Sequence, residues 1–136
     1  MTWWSRGVLP MLVVGLSVQG CTSASRSVAM PAPPRSPALV ETGRASWYGR
    51  AHQGRLTASG ERFDMHDLTA AHPTLPFGTR VRVVNLDNDR QVEVRVNDRG
   101  PSVPGRIIDL SYAAARVLGA VGAGIIPVRL SVLSSE

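Results

Sequence analysis

Two stretches of strict alternation constrain the fold of this chain more than any other feature. Val81 and Val83 alternate with Arg80 and Arg82, and Val92, Val94 and Val96 alternate with Gln91, Glu93 and Arg95. Period-two spacing puts one kind of side chain on each face of an extended backbone, so both stretches read as half-buried strands. Between them, Asn85-Leu86-Asp87-Asn88-Asp89 is a polar cluster that turns the chain and makes the pair a hairpin. A third apolar run, residues 125–133, closes the domain. Its Pro127 has no amide hydrogen and argues for an edge or a strand start.

One short helix is expected. Ser111 is a good N-cap, Ala114, Val117 and Leu118 form an i, i+3, i+4 apolar stripe, Arg116 sits in the last turn, and Gly119 can stop it. Several strands and one small helix within residues 40–133 point to a mainly β domain, a small barrel. A chain of 136 residues has room for one such domain.

The first twenty residues have a different character. Arg6 supplies a positive start, and residues 7–18 are an uncharged, mostly apolar stretch, shorter than the roughly twenty residues a membrane-spanning helix needs. The stretch ends in Val18-Gln19-Gly20-Cys21, which resembles a bacterial lipobox with an unusual Gln19. Cys21 is the only cysteine, so no intramolecular disulfide can form. Residues 1–20 are therefore expected to be a lipoprotein signal peptide and Cys21 the lipidated residue, with more than one acyl chain giving stable anchoring. Thr22 in place of an Asp, by resemblance to enterobacterial lipoproteins, implies the periplasmic face of the outer membrane. From residue 22 to about residue 39 the chain is rich in Ser, Ala and Pro, and Pro31-Ala32-Pro33-Pro34 lies near its centre. Such a segment cannot bury enough apolar surface to fold, and its prolines make it a semi-rigid tether.

All fifteen basic residues are arginine, and the formal charge is +5, or one less without Arg6. That suits an anionic partner. Nucleic acid is not expected, because the arginines form no run and aromatics make up 5% of the chain. An anionic wall polymer or a lipid surface fits.

Few carboxylates remain as candidates for chemistry. Asp87 and Asp89 belong to the turn, and Glu93 faces the solvent side of its strand. Asp98 keeps the parity of Val92, Val94 and Val96 and is expected to aim toward the apolar face as the strand ends. A carboxyl partly withdrawn from water there can act as a general acid. As a turn residue it would instead accept bonds from nearby amides. Glu61 and Asp64 stand three apart in a glycine-containing loop, either solvated or part of the carboxylate set by which glycosidases divide acid and base roles. His72 is a candidate proton shuttle or hydrogen-bonded orienter. The spacing of His66 and His72 matches no common zinc pattern, so no metal site is expected.

Six stretches occur in order: Ala45-Ser46-Trp47-Tyr48-Gly49, Leu56-Thr57-Ala58-Ser59-Gly60-Glu61, Leu68-Thr69-Ala70-Ala71-His72, Leu75-Pro76-Phe77-Gly78-Thr79, Asn97-Asp98-Arg99-Gly100-Pro101 and Arg106-Ile107-Ile108-Asp109-Leu110-Ser111. Together they resemble the rare lipoprotein A family of endolytic peptidoglycan transglycosylases, over residues 43–133. The resemblance implies a six-stranded double-psi β-barrel that cleaves the β-1,4 bond between N-acetylmuramic acid and N-acetylglucosamine. It also implies peptide-poor glycan strands as substrate, 1,6-anhydromuramic ends as product, and no cofactor. The family's acids fall on Glu61, Asp64 and Asp98, and its histidine on His72. Asp98 would be the acid and then the base, Glu61 and Asp64 would stabilise charge or tune Asp98, and His72 would fix a carboxylate. Trp47 and Tyr48 would stack on sugar faces or fill the core. Arg99 would contact the muramic lactyl carboxylate or form an ion pair with Asp109.

Many members of that family carry a C-terminal SPOR domain that binds glycan at the septum. None is expected after residue 133, and a monomer is expected. Two other readings stay open on the sequence: a non-catalytic, expansin-like wall-binding or wall-loosening module, and a hydrolytic glycosidase with a second carboxylate that activates water.

Overall fold

The computed structural model describes residues 39–134 together with Pro10 and Gly15. The expected signal peptide, Cys21 and the tether otherwise lie outside the described residues. Strands β1 (Val40–Tyr48), β2 (Thr69–Ala71), β3 (Arg80–Asn85), β4 (Gln91–Asp98), β5 (Arg106–Ser111) and β6 (Ile126–Ser134) are joined by a 3-10 turn at Arg50–His52 and one helix, α1 (Tyr112–Val117).

The strands close into a barrel in the order β1-β5-β2-β4-β3-β6, with β6 returning to β1. The β1–β5 and β2–β4 pairs are parallel and the other four antiparallel. This is the mainly β barrel with one short helix that the residues predict, and the six-stranded double-psi barrel that the resemblance implies.

The alternating valines explain why the ring fills. Val81, Val83, Val94 and Val96 point inward and meet Ile108, Leu110, Val128 and Leu118 in one core. Burying each such side chain contributes roughly 1.5–3 kcal/mol relative to exposure. The arginines between them stay outside, and Arg80 pairs with Glu93 across the hairpin at 2.7 Å. At the hairpin tip the Asn85 side chain accepts from the Asp87 amide, and Asp89 takes a positive φ of 60°. Pro127 is the second residue of β6, but a closed ring has no edge, and it lies opposite Arg44 of β1.

Ser111 caps α1 as expected, its Oγ accepting from the Ala114 amide at 3.3 Å and donating to the Asp67 carbonyl at 2.6 Å. Gly119 ends the helical segment with φ +66°, a left-handed conformation that suits glycine. The stripe differs from the expected one: Ala115 is fully buried with Ala114 and Leu118, while Val117 is 45% exposed. A helix of six residues cannot carry a long stripe, and its contacts with β4, β5 and β1 decide which face is covered.

Two strands each contain one residue more than their parallel partners. Ala70 and Ala71 of β2 lie opposite Val96 and Asp98, so Asn97 is extra in β4. Arg44 and Ala45 of β1 lie opposite Arg106 and Ile108, so Ile107 is extra in β5. Such bulges re-aim the side chains beyond them, and here they build the site.

Candidate active site

Parity alone would point Asp98 inward with the valines. The bulge reverses this: Asn97 is 1% exposed, and Asp98 turns out to the mouth of an open cleft. On β5, Ile108 and Leu110 face the core and Asp109 faces the same cleft. Register then sets a row across four strands, because Asp98 lies opposite Ala71, Ala71 opposite Asp109, and Asp109 opposite Ser46. The backbones of the two aspartates are two strand spacings, about 10 Å, apart. Ala71 between them has no side chain beyond Cβ, which leaves the floor open. The cleft measures about 460 Å³, and Trp47, Tyr48 and Arg99 also line it.

The two carboxylates have different partners. Asp98 Oδ1 accepts from the backbone amides of Ala58 at 2.9 Å and Arg99 at 2.8 Å. Both bonds fall on one oxygen, so Oδ2 has no backbone donor among the described residues. Asp109 Oδ1 accepts from the Ser46 hydroxyl, and its Oδ2 accepts from Arg106 Nη2 at 3.3 Å. Arg106 Nε lies 3.1 Å from Asp109 Oδ1.

The sequence reading left open an ion pair between Arg99 and Asp109. The pair is made by Arg106 instead. Arg99 donates from Nη1 to the carbonyls of His72 and Leu75, at 3.3 and 2.7 Å, and its guanidinium lies 4.0 Å over the Phe77 ring.

Tyr48 packs on Phe63, with ring centroids 4.6 Å apart, and edge-on to His52. Its hydroxyl is buried without a hydrogen-bond partner among the described residues. Burial, and then the charges of Asp98 and Asp109, raise its pKa well above the usual tyrosine value, so the hydroxyl keeps its proton and can only gain by donating it into a hydrogen bond.

Glu61, Asp64 and His72 do not line this cleft. Glu61 forms a two-pronged ion pair with Arg95, at 2.7 and 2.8 Å, and that hydrogen bonding holds its pKa below the usual glutamate value. The pair ties the 57–61 turn to β4, and this turn supplies the Ala58 amide to Asp98. Asp64 accepts from the His66 amide at 3.0 Å and the Gln53 side chain at 3.3 Å, which lowers its pKa. His72 is 4% exposed. Its Nδ1 accepts from the amides of Thr74 and Leu75, at 3.2 and 3.1 Å, and its own amide donates to the Asp98 carbonyl. Its Nε2 faces the Glu41 carboxylate at 3.5 Å. Burial depresses the His72 pKa, and Glu41 only partly offsets this. The histidine therefore braces the backbone on which Asp98 and Arg99 stand, and among the described residues the carboxylate paired with its ring is that of Glu41.

Trp47 borders a second, larger cleft of about 650 Å³. Gly49 makes room for its ring, since a Cβ there would sit 3.1 Å from the indole. Ser46, Arg106 and Asp109 were missed as site residues in the sequence reading, although all three lie in the quoted stretches. Their shared signal was the Arg106–Asp109 spacing of three, which opposes the two side chains in a regular strand and aligns them only when a bulge intervenes. Among the described residues no group of three His, Cys, Asp or Glu side chains gathers as a metal site would require.

The lytic transglycolase family model matches residues 40–130. A Nostoc sp. protein described as a probable endolytic peptidoglycan transglycosylase RlpA is 61% identical over 93 residues, which cover 67% of this chain and 25% of that protein. The endolytic peptidoglycan transglycosylase RlpA of Vibrio cholerae is 55% identical over 98 residues, 72% of this chain and 37% of that one. The chain thus spans about a quarter to two-fifths of the length of these relatives. Among solved structures, the Streptomyces papain inhibitor superposes with a TM-score of 0.60 at 26% identity, covering 72% of this chain and 97% of that one. An expansin of Clavibacter michiganensis gives 0.57 at 26% identity, covering 72% and 52%. The barrel carries its two aspartates within the matched segment, and the chain belongs to the lytic transglycolase family.

Proposed function

We propose that the barrel is an endolytic peptidoglycan lytic transglycosylase acting on the bond between N-acetylmuramic acid and N-acetylglucosamine in peptide-poor strands. The observation that carries this reading is the row Asp98–Ala71–Asp109, two carboxylates flanking an open floor with room for a sugar ring. Asp98 gives a proton to the glycosidic oxygen as the bond from the muramyl anomeric carbon breaks. The muramyl 6-hydroxyl oxygen then bonds to that carbon, and its proton goes to the same carboxylate. Protons and bonds balance without water or a cofactor. Asp109, held with Ser46 and Arg106, stabilises positive charge on the ring.

Tyr48 donates its hydroxyl hydrogen into the cleft, Trp47 stacks on a sugar face, and Arg99 turns its remaining N–H groups toward a lactyl carboxylate. Glu61, Asp64 and His72 act as positioning residues through the loops they fix. The protein acts as a monomer anchored by lipid on Cys21 to the periplasmic face of the outer membrane, with residues 22–39 as the tether. The apolar stretch ending at Cys21 and the proline-rich segment after it support that placement.

The test incubates the purified chain, with and without Asp98→Asn, on peptide-free glycan strands, with products read by mass spectrometry. Anhydromuramic ends from the wild type and a loss of about 10²–10⁴-fold in the variant are expected. Reducing ends would show hydrolysis, and binding by a folded protein without any cleavage would show an expansin-like module.

A further inference from the structure

The second cleft is lined by Trp47, Arg50, Gln53, His66, Tyr112 and Arg116. Its character differs from that of the first. Trp47 and Tyr112 lie 5.6 Å apart at a tilt of 52°, and Arg116 sits 5.9 Å over the Tyr112 ring. Arg50 and Arg116 are exposed, and neither makes an ion pair among the described residues. Asp64 is the carboxylate beside this cleft, and its Oδ1 is taken by Gln53 and the His66 amide.

Neighbouring hollows share lining residues. Trp47 lines both the first and second clefts, and Arg116 lines both the second and a third hollow of about 350 Å³. Register puts Arg99 beside Asp98 at one end of the row and Trp47 beside Ser46 at the other, so a glycan laid along the row and on into the second cleft meets Arg99, then the Trp47 ring, then Arg50 and Arg116. That order of cation, aromatic, cation matches a glycan in which every second sugar carries a free carboxylate.

We propose that the second cleft is an anionic-sugar subsite in which Arg50 and Arg116 hold the lactyl carboxylate of a muramyl residue one disaccharide away from the scissile bond, with Trp47 under the neutral sugar between. Guanidinium groups suit carboxylates geometrically as well as electrically. The inference rests on the glycan reading of the first cleft. It adds that the barrel reads charge at a distance from the reacting bond.

The test measures binding by titration calorimetry with the full chain carrying Asp98→Asn, so that bound glycan is not cut. The ligands are peptide-free strands and the same strands with their lactyl carboxylates converted to amides. The expected result is three- to tenfold weaker binding of untreated strands when Arg50→Gln and Arg116→Gln are combined, the range open to two solvent-exposed charge pairs. Amidated strands, which lose the Arg99 contact as well, should bind the Asp98→Asn parent at least as weakly and should not distinguish it from the double glutamine variant. The corresponding double lysine variant should recover only the part of the affinity that charge supplies, which separates charge from guanidinium geometry. Equal binding of untreated strands by the parent and the double glutamine variant, or indifference of the parent to amidation, overturns the subsite. A parent that binds neither preparation overturns the glycan reading itself, and the subsite with it.

Discussion

Asp98 and Asp109 each follow an extra residue in a strand, Asn97 in β4 and Ile107 in β5, yet the groups that hold them are unlike. Asp98 accepts two neutral backbone amides on one oxygen, whereas Asp109 is gripped by a serine hydroxyl and a guanidinium. Amides from a loop orient a carboxyl while leaving its other oxygen available for a proton. The same backbone device has thus delivered one carboxyl with an oxygen that has no donor among the described residues and another with a partner on each oxygen.

Substitution of Asp109 by Asn tests that division most severely. It should lower kcat by about a hundredfold, the scale of losing one electrostatic contact to a transition state, while the anhydromuramic product persists and affinity for strands changes little. Loss of all product from Asp109→Asn, with cleavage surviving in Asp98→Asn, would exchange the two roles.

Tyr48→Phe comes next. The phenol hydroxyl has no hydrogen-bond partner among the described residues and lies near both charges, so its loss should lower kcat about tenfold with KM unchanged. Because phenylalanine keeps the packing on Phe63 and removes only an unpartnered hydroxyl, thermal stability should hold or rise. A fall in stability with kcat intact would make Tyr48 a core residue alone.

The smallest effect concerns the brace beneath Asp98. His72 has a folded pKa below its unfolded value near 6.5. The unfolded chain therefore takes up a proton at a higher pH than the folded one. The stabilising contribution is complete above about pH 6.5 and is lost as the pH falls below that value. Midpoints of urea unfolding between pH 7.5 and 5 should decline, with a slope from this group of at most about 1.4 kcal/mol per pH unit. His72→Asn should flatten that part of the curve, and an unchanged slope would remove His72 as its source.

The hairpin, the helix cap at Ser111 and the stop at Gly119 were legible because each depends on residues close in sequence. Val81, Val83, Val92, Val94 and Val96 carry their period wherever the strands are placed. The bulges were not legible. Whether Asn97 is one residue too many depends on how many residues β2 offers opposite it, and β2 lies more than twenty positions earlier. Asp98 was therefore singled out by parity and by resemblance, while parity misread its direction. For the same reason an Arg99–Asp109 pair was left open, when the bulge at Ile107 brings Arg106, from the same quoted stretch as Asp109, to its side. The Glu61–Arg95 pair was equally hidden, since 34 residues separate its members.

The closure of the ring also fixes when this chain can fold. β6, residues 126–134, is hydrogen-bonded to both β1 and β3, so until it is supplied both of those strands have an open side and the core lacks Val128 and Leu130. Pairing of the barrel's first strand with its last is as non-local as this domain permits, and such contacts form slowly. The ring therefore cannot close before residues 126–134 have been synthesised, however early the other five strands are made.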